Sequence, residues 1–217
     1  MIICIDGPAA SGKSTVAAKL AKNLQIIHLN SGALFRAVAF KSSVDKNADI
    51  ENNFAALASE LNFSFKLNSD YSTTFLVNGE EISSLLLTSE IAEIASRVAV
   101  QPKLRETLVK VQRQQAELHG NNLVVEGRDA GTVVFPNADN KFYLQASLEK
   151  RAKRRFADLS NKSSLDFEQF KKNLDRRDVR DQGRKVAPNK PAADAILINT
   201  DKKSIEEVFD FIKLNLK

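Results

Sequence analysis

The run Gly7-Pro8-Ala9-Ala10-Ser11-Gly12-Lys13-Ser14, continued by Thr15, places two glycines, a lysine and a hydroxyl at the spacing G-x-x-x-x-G-K-[ST]. A polyphosphate fits such a loop because backbone N–H groups wrap it, which glycine turns permit, and the helix that follows adds the positive end of its dipole. Lys13 brings a mobile positive charge, and the Ser14 hydroxyl can ligate magnesium. A second group stands at Glu126-Gly127-Arg128-Asp129. There a glycine allows close backbone approach, the arginine offers a fork to phosphate and the aspartate an acceptor. A third lies at Arg177, Asp181 and Arg184, whose helical spacing puts cation, anion and cation on one face, and Arg151 with Arg155 share another. Plainer readings exist for single residues. Arg36 alone reads as a surface charge, Arg105 beside Glu106 as a solvated helix face, and His28 as a packed or surface ring.

These groups need elements to hold them. Ile2-Ile3-Cys4-Ile5 reads as a strand before the loop, with a helix from Thr15 after it. Ile26-Ile27-His28-Leu29 is a second strand, and Ser31 is a plausible cap for a helix through Phe40 that breaks near Ser42. After a helical stretch from about Ile50 to Leu61, Phe63, Phe65 and Leu67 alternate with polar residues, Thr73 to Val77 follow, and Asn78-Gly79 signals a tight hairpin into Glu80-Glu81-Ile82. This predicts a small antiparallel insert leaning on neighbouring helices. Thr88 or Ser89 caps a helix to about Val100, and Pro102 opens another that stops at His119-Gly120. Leu123-Val124-Val125, Lys141 to Leu144 and Ala195 to Ile198 complete five strands. Ser147 caps the helix that carries Arg151, Arg154 and Arg155, a further helix runs from about Leu165, and Ser204 to Glu207 form a capping box. Strands alternating with helices predict an α/β fold with a parallel sheet, whose carboxyl edge binds ligands.

The chain has 217 residues, 43% hydrophobic, enough for one core domain. A single cysteine, Cys4, excludes a disulfide framework and a cysteine metal site, and suits a reducing cytoplasm. No apolar stretch approaches the ~20 residues of a membrane span, and the chain opens on a strand where a secretory leader would stand. Between Lys150 and Lys185 there are 13 basic and 6 acidic residues, against 19 and 21 elsewhere. A local excess of this kind means either a polyanion site or a solvated helix surface, and the phosphate loop favours the first. Many arginines and only two histidines suit transfer to an acceptor already anionic, which needs charge neutralisation more than proton removal.

The phosphate loop, Asn30-Ser31-Gly32-Ala33-Leu34-Phe35-Arg36, Gly127-Arg128-Asp129-Ala130-Gly131-Thr132-Val133-Val134-Phe135-Pro136, Arg177-Asp178-Val179-Arg180-Asp181, Ala187-Pro188 and Pro191-Ala192-Ala193-Asp194-Ala195 together resemble the bacterial cytidylate kinases nearly end to end. The resemblance implies a five-stranded parallel P-loop NTPase core flanked by helices, with the antiparallel insert on the acceptor side and a short lid. It divides one kinase domain, 1–217, into a core of about 1–30, 100–150 and 186–217, an acceptor region of 31–99, and lid and basic helices of 151–185. It implies transfer of the γ-phosphoryl of ATP, with Mg2+, to CMP and dCMP by a cytoplasmic monomer that engages neither nucleic acid nor membrane. By similarity Gly7 to Thr15 and Arg151 bind ATP, and Lys13, Arg128, Arg155 and Arg184 are catalytic. Arg36, Arg128 and Arg184 hold the acceptor phosphate beside Ser31, and Ser96, Arg105 and Asp129 read the cytosine. Arg177 and Asp181 bind the sugar, and Arg151 and Arg155 flank a lid at Ala157 to Lys162. Two positions depart: Phe35 stands where a tyrosine is usual, and Glu126 where an aspartate is usual. The alternatives are a kinase of another small acceptor such as UMP or shikimate, a non-catalytic nucleotide module, or a nucleic-acid binder using the basic stretch. A guanine switch is disfavoured because Ala192 follows Asn189-Lys190-Pro191.

Overall fold

Five parallel strands, numbered in chain order, carry the fold: β1 (Ile2–Asp6), β2 (Ile27–Asn30), β6 (Leu123–Gly127), β7 (Asn140–Gln145) and β8 (Ile196–Asn199). Their order across the sheet is β2-β6-β1-β7-β8. In this computed structural model residues 1–44, 53–159 and 166–217 are described, positions 158 and 159 by backbone alone. The start of the expected Ile50–Leu61 helix and residues 160–162 of the expected lid lie outside them.

β1 reads as an unbroken apolar run because both its faces are covered. Ile3 and Ile5 pack with Val16, Leu20, Phe209 and Ile212 of α1 (Lys13–Leu24) and α8 (Ile205–Leu214). Cys4 faces the other side, with Leu29, Leu34, Val125, Leu104 and Leu108. That side is built from α2 (Ser31–Val44), α3 (Phe54–Glu60) and α5 (Pro102–Leu118). Asp6 ends β1 opposite Gly127 of β6 and Tyr143 of β7. The chain leaves β1 and β6 on the same sheet edge, so the phosphate loop and the Gly127-Arg128-Asp129 turn meet there.

The insert is a separate antiparallel sheet of β3 (Phe63–Leu67), β4 (Thr73–Val77) and β5 (Glu80–Glu81). Asn78 (φ 54°) and Gly79 (φ 84°) both take left-handed conformations, the geometry a two-residue hairpin turn requires. Phe63, Phe65, Phe75 and Val77 bury one face, and Gln115 of α5 donates to the Phe63 carbonyl at 3.0 Å, so the insert does lean on a helix.

The helices start where their caps predict. The Thr88 hydroxyl accepts from the Ile91 N–H for α4 (Ser89–Val98), and Ser204 and Glu207 form the capping box of α8. One cap is corrected. Asn30 Oδ1 takes the Ala33 N–H at 3.1 Å, and Ser31 lies inside α2 with its hydroxyl donating to the Glu126 carbonyl at 2.7 Å. The basic stretch forms α6 (Leu148–Leu159) and α7 (Phe167–Gln182), packed on each other. A single π-turn over Ala130–Val134, which periodicity does not reveal, follows Asp129. Among the described residues no helix is long and apolar enough to cross a membrane.

Candidate active site

The loop between β1 and α1 is held open by its backbone. Gly7 has φ 146°, and a Cβ there would stand 2.1 Å from the Leu144 carbonyl oxygen of β7, so no larger residue fits. The loop's outer side is strapped to the basic helices. Arg151 of α6 donates to the Ala9 carbonyl at 3.1 Å and pairs with Asp178 of α7. Arg154 donates to Thr200 Oγ1 at 3.1 Å, and that hydroxyl donates to the Ser11 carbonyl at 3.2 Å. Of the residues assigned to ATP, Ala9, Ala10, Gly12, Lys13, Ser14 and Thr15 line the cleft, while Gly7, Pro8, Ser11 and Arg151 stand behind its wall. Arg154, Lys203, Ser204 and Ile205 also line it. The sequence gives none of them a part in the cleft, and marks Ser204 only as a helix cap.

Lys13 is buried, and its ammonium donates to the Pro8 carbonyl at 2.8 Å. Burial, reinforced by the nearby Arg128 charge, brings it from 10.5 down to about 7. The folded state therefore sheds this proton between about 7 and 10.5 while the unfolded chain keeps it. Burying the charged lysine costs stability below that window, and stability rises with pH across it. An incoming phosphate reverses the shift. At about pH 8, binding of Mg-ATP is expected to take up close to one proton, measurable by calorimetry in buffers of different ionisation enthalpy. Lys13→Met should abolish the uptake, and equal uptake in both proteins would remove Lys13 as its source.

The cleft holds about 680 Å³ and reaches from the phosphate loop to α4, α5 and α7. Ser31, Arg36, Ser96, Arg105, Arg128, Asp129, Arg155, Arg177, Asp181 and Arg184 all line it. Arg105, expected from its neighbours to be a solvated face, is instead buried, donates to Asp129 at 2.6 Å and to the Ala99 carbonyl at 3.0 Å. Glu106 alone is exposed, because α5 turns its i+1 neighbour away from the cleft. Arg128 donates to Asp181 at 3.1 Å, and Arg184 approaches the same carboxylate at 3.9 Å. Burial lowers Arg177 and Arg184 to about 10, with the Arg128 charge adding to the first shift and mainly Arg105 to the second, so both stay charged at neutral pH. Arg128 is raised: burial opposes its charge, but Asp181 and the other nearby carboxylates outweigh it. Arg36 Nε, Arg105 Nε, Arg177 Nε and Arg184 Nη2 are buried donors with no partner among the described residues. Such groups are costly unless a ligand accepts from them.

Glu126 and Ser14 join the two ends. The Ser14 hydroxyl donates to Glu126 Oε2 at 2.9 Å, and Oε1 is buried without a hydrogen-bond partner. Burial alone would raise the Glu126 carboxyl, but the His28 ring, Lys13 and the Ser14 hydroxyl outweigh it and hold it at about 2. His28, read as packed or surface, stands with Nε2 3.7 Å from this carboxylate. Asp6 secures the following turn, accepting from the Ala130 and Gly131 N–H groups at 2.9 and 2.8 Å. A Cβ at Gly127 would fall 2.6 Å from Ser31 Oγ. Gly127→Ala is thus expected to cost ~1–3 kcal/mol of stability, read as a lower melting temperature, and an unchanged one would show that Ser31 yields freely.

Residues 3–216 match the sequence profile of the family described as cytidylate kinase. The chain belongs to the cytidylate kinase family. The cytidylate kinase of Pasteurella multocida is 46% identical over 96% of this chain and 91% of its own, and cytidylate kinase 1 of Haemophilus influenzae 42% over 97% and 90%. That of a Geobacillus species is 42% identical over 97% and 93%. Two solved structures share the fold at 16% identity. They are an uncharacterized protein from Eubacterium ventriosum, at TM-score 0.53 with 99% of this chain and 96% of that one covered, and TT1252 from Thermus thermophilus, at 0.50 with 100% and 98% covered.

Both departures from the cytidylate kinase pattern have a structural setting. Phe35 lies under the Arg105 guanidinium, 5.2 Å from ring centroid to Cζ, a stacking that needs no hydroxyl. Glu126 reaches Ser14, and its ionised carboxylate with the serine oxygen offers hard oxygen donors of the kind magnesium prefers.

Proposed function

We propose that this protein transfers the γ-phosphoryl group of ATP to CMP and dCMP. The observation that carries the reading is the set of four buried arginine N–H groups without partners in the cleft that also receives the phosphate loop. The attacking oxygen of a nucleoside monophosphate is already anionic, so the protein's work is to align two phosphates and neutralise the charge shared between them. Lys13 and the free N–H groups at the start of α1 face the donor, and Arg36, Arg128 and Arg184 the acceptor phosphate. Arg155 reaches the cleft between them from α6. Ser14 and Glu126 would hold magnesium. Bound there with ATP, the ion supplies charge neutralisation at the phosphate oxygens.

Asp129 takes the base. Cytosine presents an amino donor where uracil presents an acceptor, so a carboxylate favours the first. Arg105 holds Asp129 in place through their 2.6 Å bond, and Arg177 with Asp181 takes the sugar. Arg151 acts on ATP from behind, by setting the Ala9 carbonyl and hence the loop. We read the chain as one kinase domain, monomeric and cytoplasmic, with core, acceptor region and lid divided as the resemblance implies. Phosphorus NMR of protein with Mg-ATP and CMP should show ADP and CDP appearing together. ADP and free phosphate with CMP unchanged would contradict the transfer.

A further inference from the structure

Arg180 lies on α7 one residue before Asp181 and three after Arg177, yet it turns to the neighbouring helix. Its Nη1 donates to Ser96 Oγ at 3.0 Å and its Nη2 to Glu93 Oε1 at 2.9 Å, so one guanidinium spans a full turn of α4. Ser96 is buried and lines the cleft, while Arg180 does not line it. Among the described residues the Ser96 hydroxyl donates to no protein acceptor. Arg180 therefore occupies one lone pair of Oγ and leaves the proton and the second lone pair for whatever enters.

We propose that Arg180 is a specificity-positioning residue: anchored on Glu93, it holds the Ser96 hydroxyl at the place from which it reads the acceptor base. Three physical points carry it. A free serine hydroxyl rotates to suit any partner, and an unfixed reader satisfies uracil as readily as cytosine. A charge-assisted bond from a planar fork held at both nitrogens fixes the oxygen and narrows the proton to the two directions left, a restriction that a lone ammonium would not impose. The same bridge sets α7, with Arg177 and Asp181 on it and Arg184 just past its end, at a fixed distance from α4, so sugar and base contacts are registered to each other. The inference rests on Ser96 reading the base as proposed above.

The test is steady-state kinetics with CMP and UMP on Ser96→Ala, Arg180→Met, Arg180→Lys and the Ser96→Ala/Arg180→Met double variant. Arg180→Met is expected to raise KM for CMP and lower the CMP:UMP ratio of kcat/KM about tenfold, with KM for ATP unchanged. Arg180→Lys should restore only part of the ratio, and in the Ser96→Ala background the Arg180 change should add nothing to it. Equal losses on both acceptors, or an undiminished Arg180 effect without Ser96, would overturn the proposal in favour of a packing role. If Ser96→Ala leaves the ratio intact, the base-reading role of Ser96 fails and the proposal falls with it. If Ser96→Ala collapses the ratio while Arg180→Met does not, only the Arg180 role fails.

Discussion

Arg128→Ala is expected to lower kcat for CMP phosphorylation by about 10²–10³-fold while the protein stays folded. Arg128 stands at the carboxyl end of β6 and lines the cleft, where the proposed transfer would build charge on the moving group. The fold persists because Asp181 is not abandoned. Burial pushes its pKa up, but Arg177 and Arg184 act alongside Arg128 to hold it down. Arg128 is moreover the largest charge pressing on Lys13 and on Arg177, so its removal relieves a repulsion within the cleft. The melting temperature should move by no more than about 5 °C in a domain of this size. Turnover within about threefold of the parent in a folded variant would remove Arg128 from the transfer centre.

Asp129→Asn is expected to cut the CMP:UMP ratio of kcat/KM by about 10–100-fold. The amide keeps the shape and one acceptor but gives up the charge, and its NH2 can meet the uracil oxygen that a carboxylate repels. Asparagine is a cleaner test than alanine here. Arg105 is 3% exposed and its 2.6 Å partner is Asp129, so alanine would leave a buried guanidinium unpaired at a cost of ~3–5 kcal/mol. An unchanged ratio in a stable Asp129→Asn protein would take Asp129 out of base reading.

Much of this is legible in the sequence. Apolar runs bounded by glycine and cap residues carry the strand and helix order directly, and the spacing of Gly7, Gly12, Lys13 and Ser14 carries the phosphate site. What stayed hidden depends on long-range contact. Arg105 beside Glu106 looks like any solvated pair, and only docking of α5 against the Asp129 turn buries one and leaves the other out. The basic excess of 150–185 was read as polyanion site or solvated surface, and it divides by residue. Arg155, Arg177 and Arg184 line the cleft, whereas Lys150, Lys153 and Lys172 are exposed. The shorter reach and strong hydration of an ammonium suit it to water, the guanidinium fork to phosphate. Arg151 and Arg155 share a helical face by spacing, but Arg151 is captured by the Ala9 and Ala146 carbonyls and only Arg155 lines the cleft. The π-turn after Asp129 follows from Asp6 binding two successive N–H groups, an interaction across 124 and 125 positions that no local pattern encodes.

One cleft is proposed to couple ATP to a cytidine monophosphate. The most direct test is ADP production from Mg-ATP by purified protein against CMP, dCMP, UMP, AMP, GMP and shikimate. Turnover of CMP and dCMP well ahead of UMP, with the others inert, is the predicted result. Failure of every acceptor while ATP still binds, or a preference for UMP or shikimate, would contradict it.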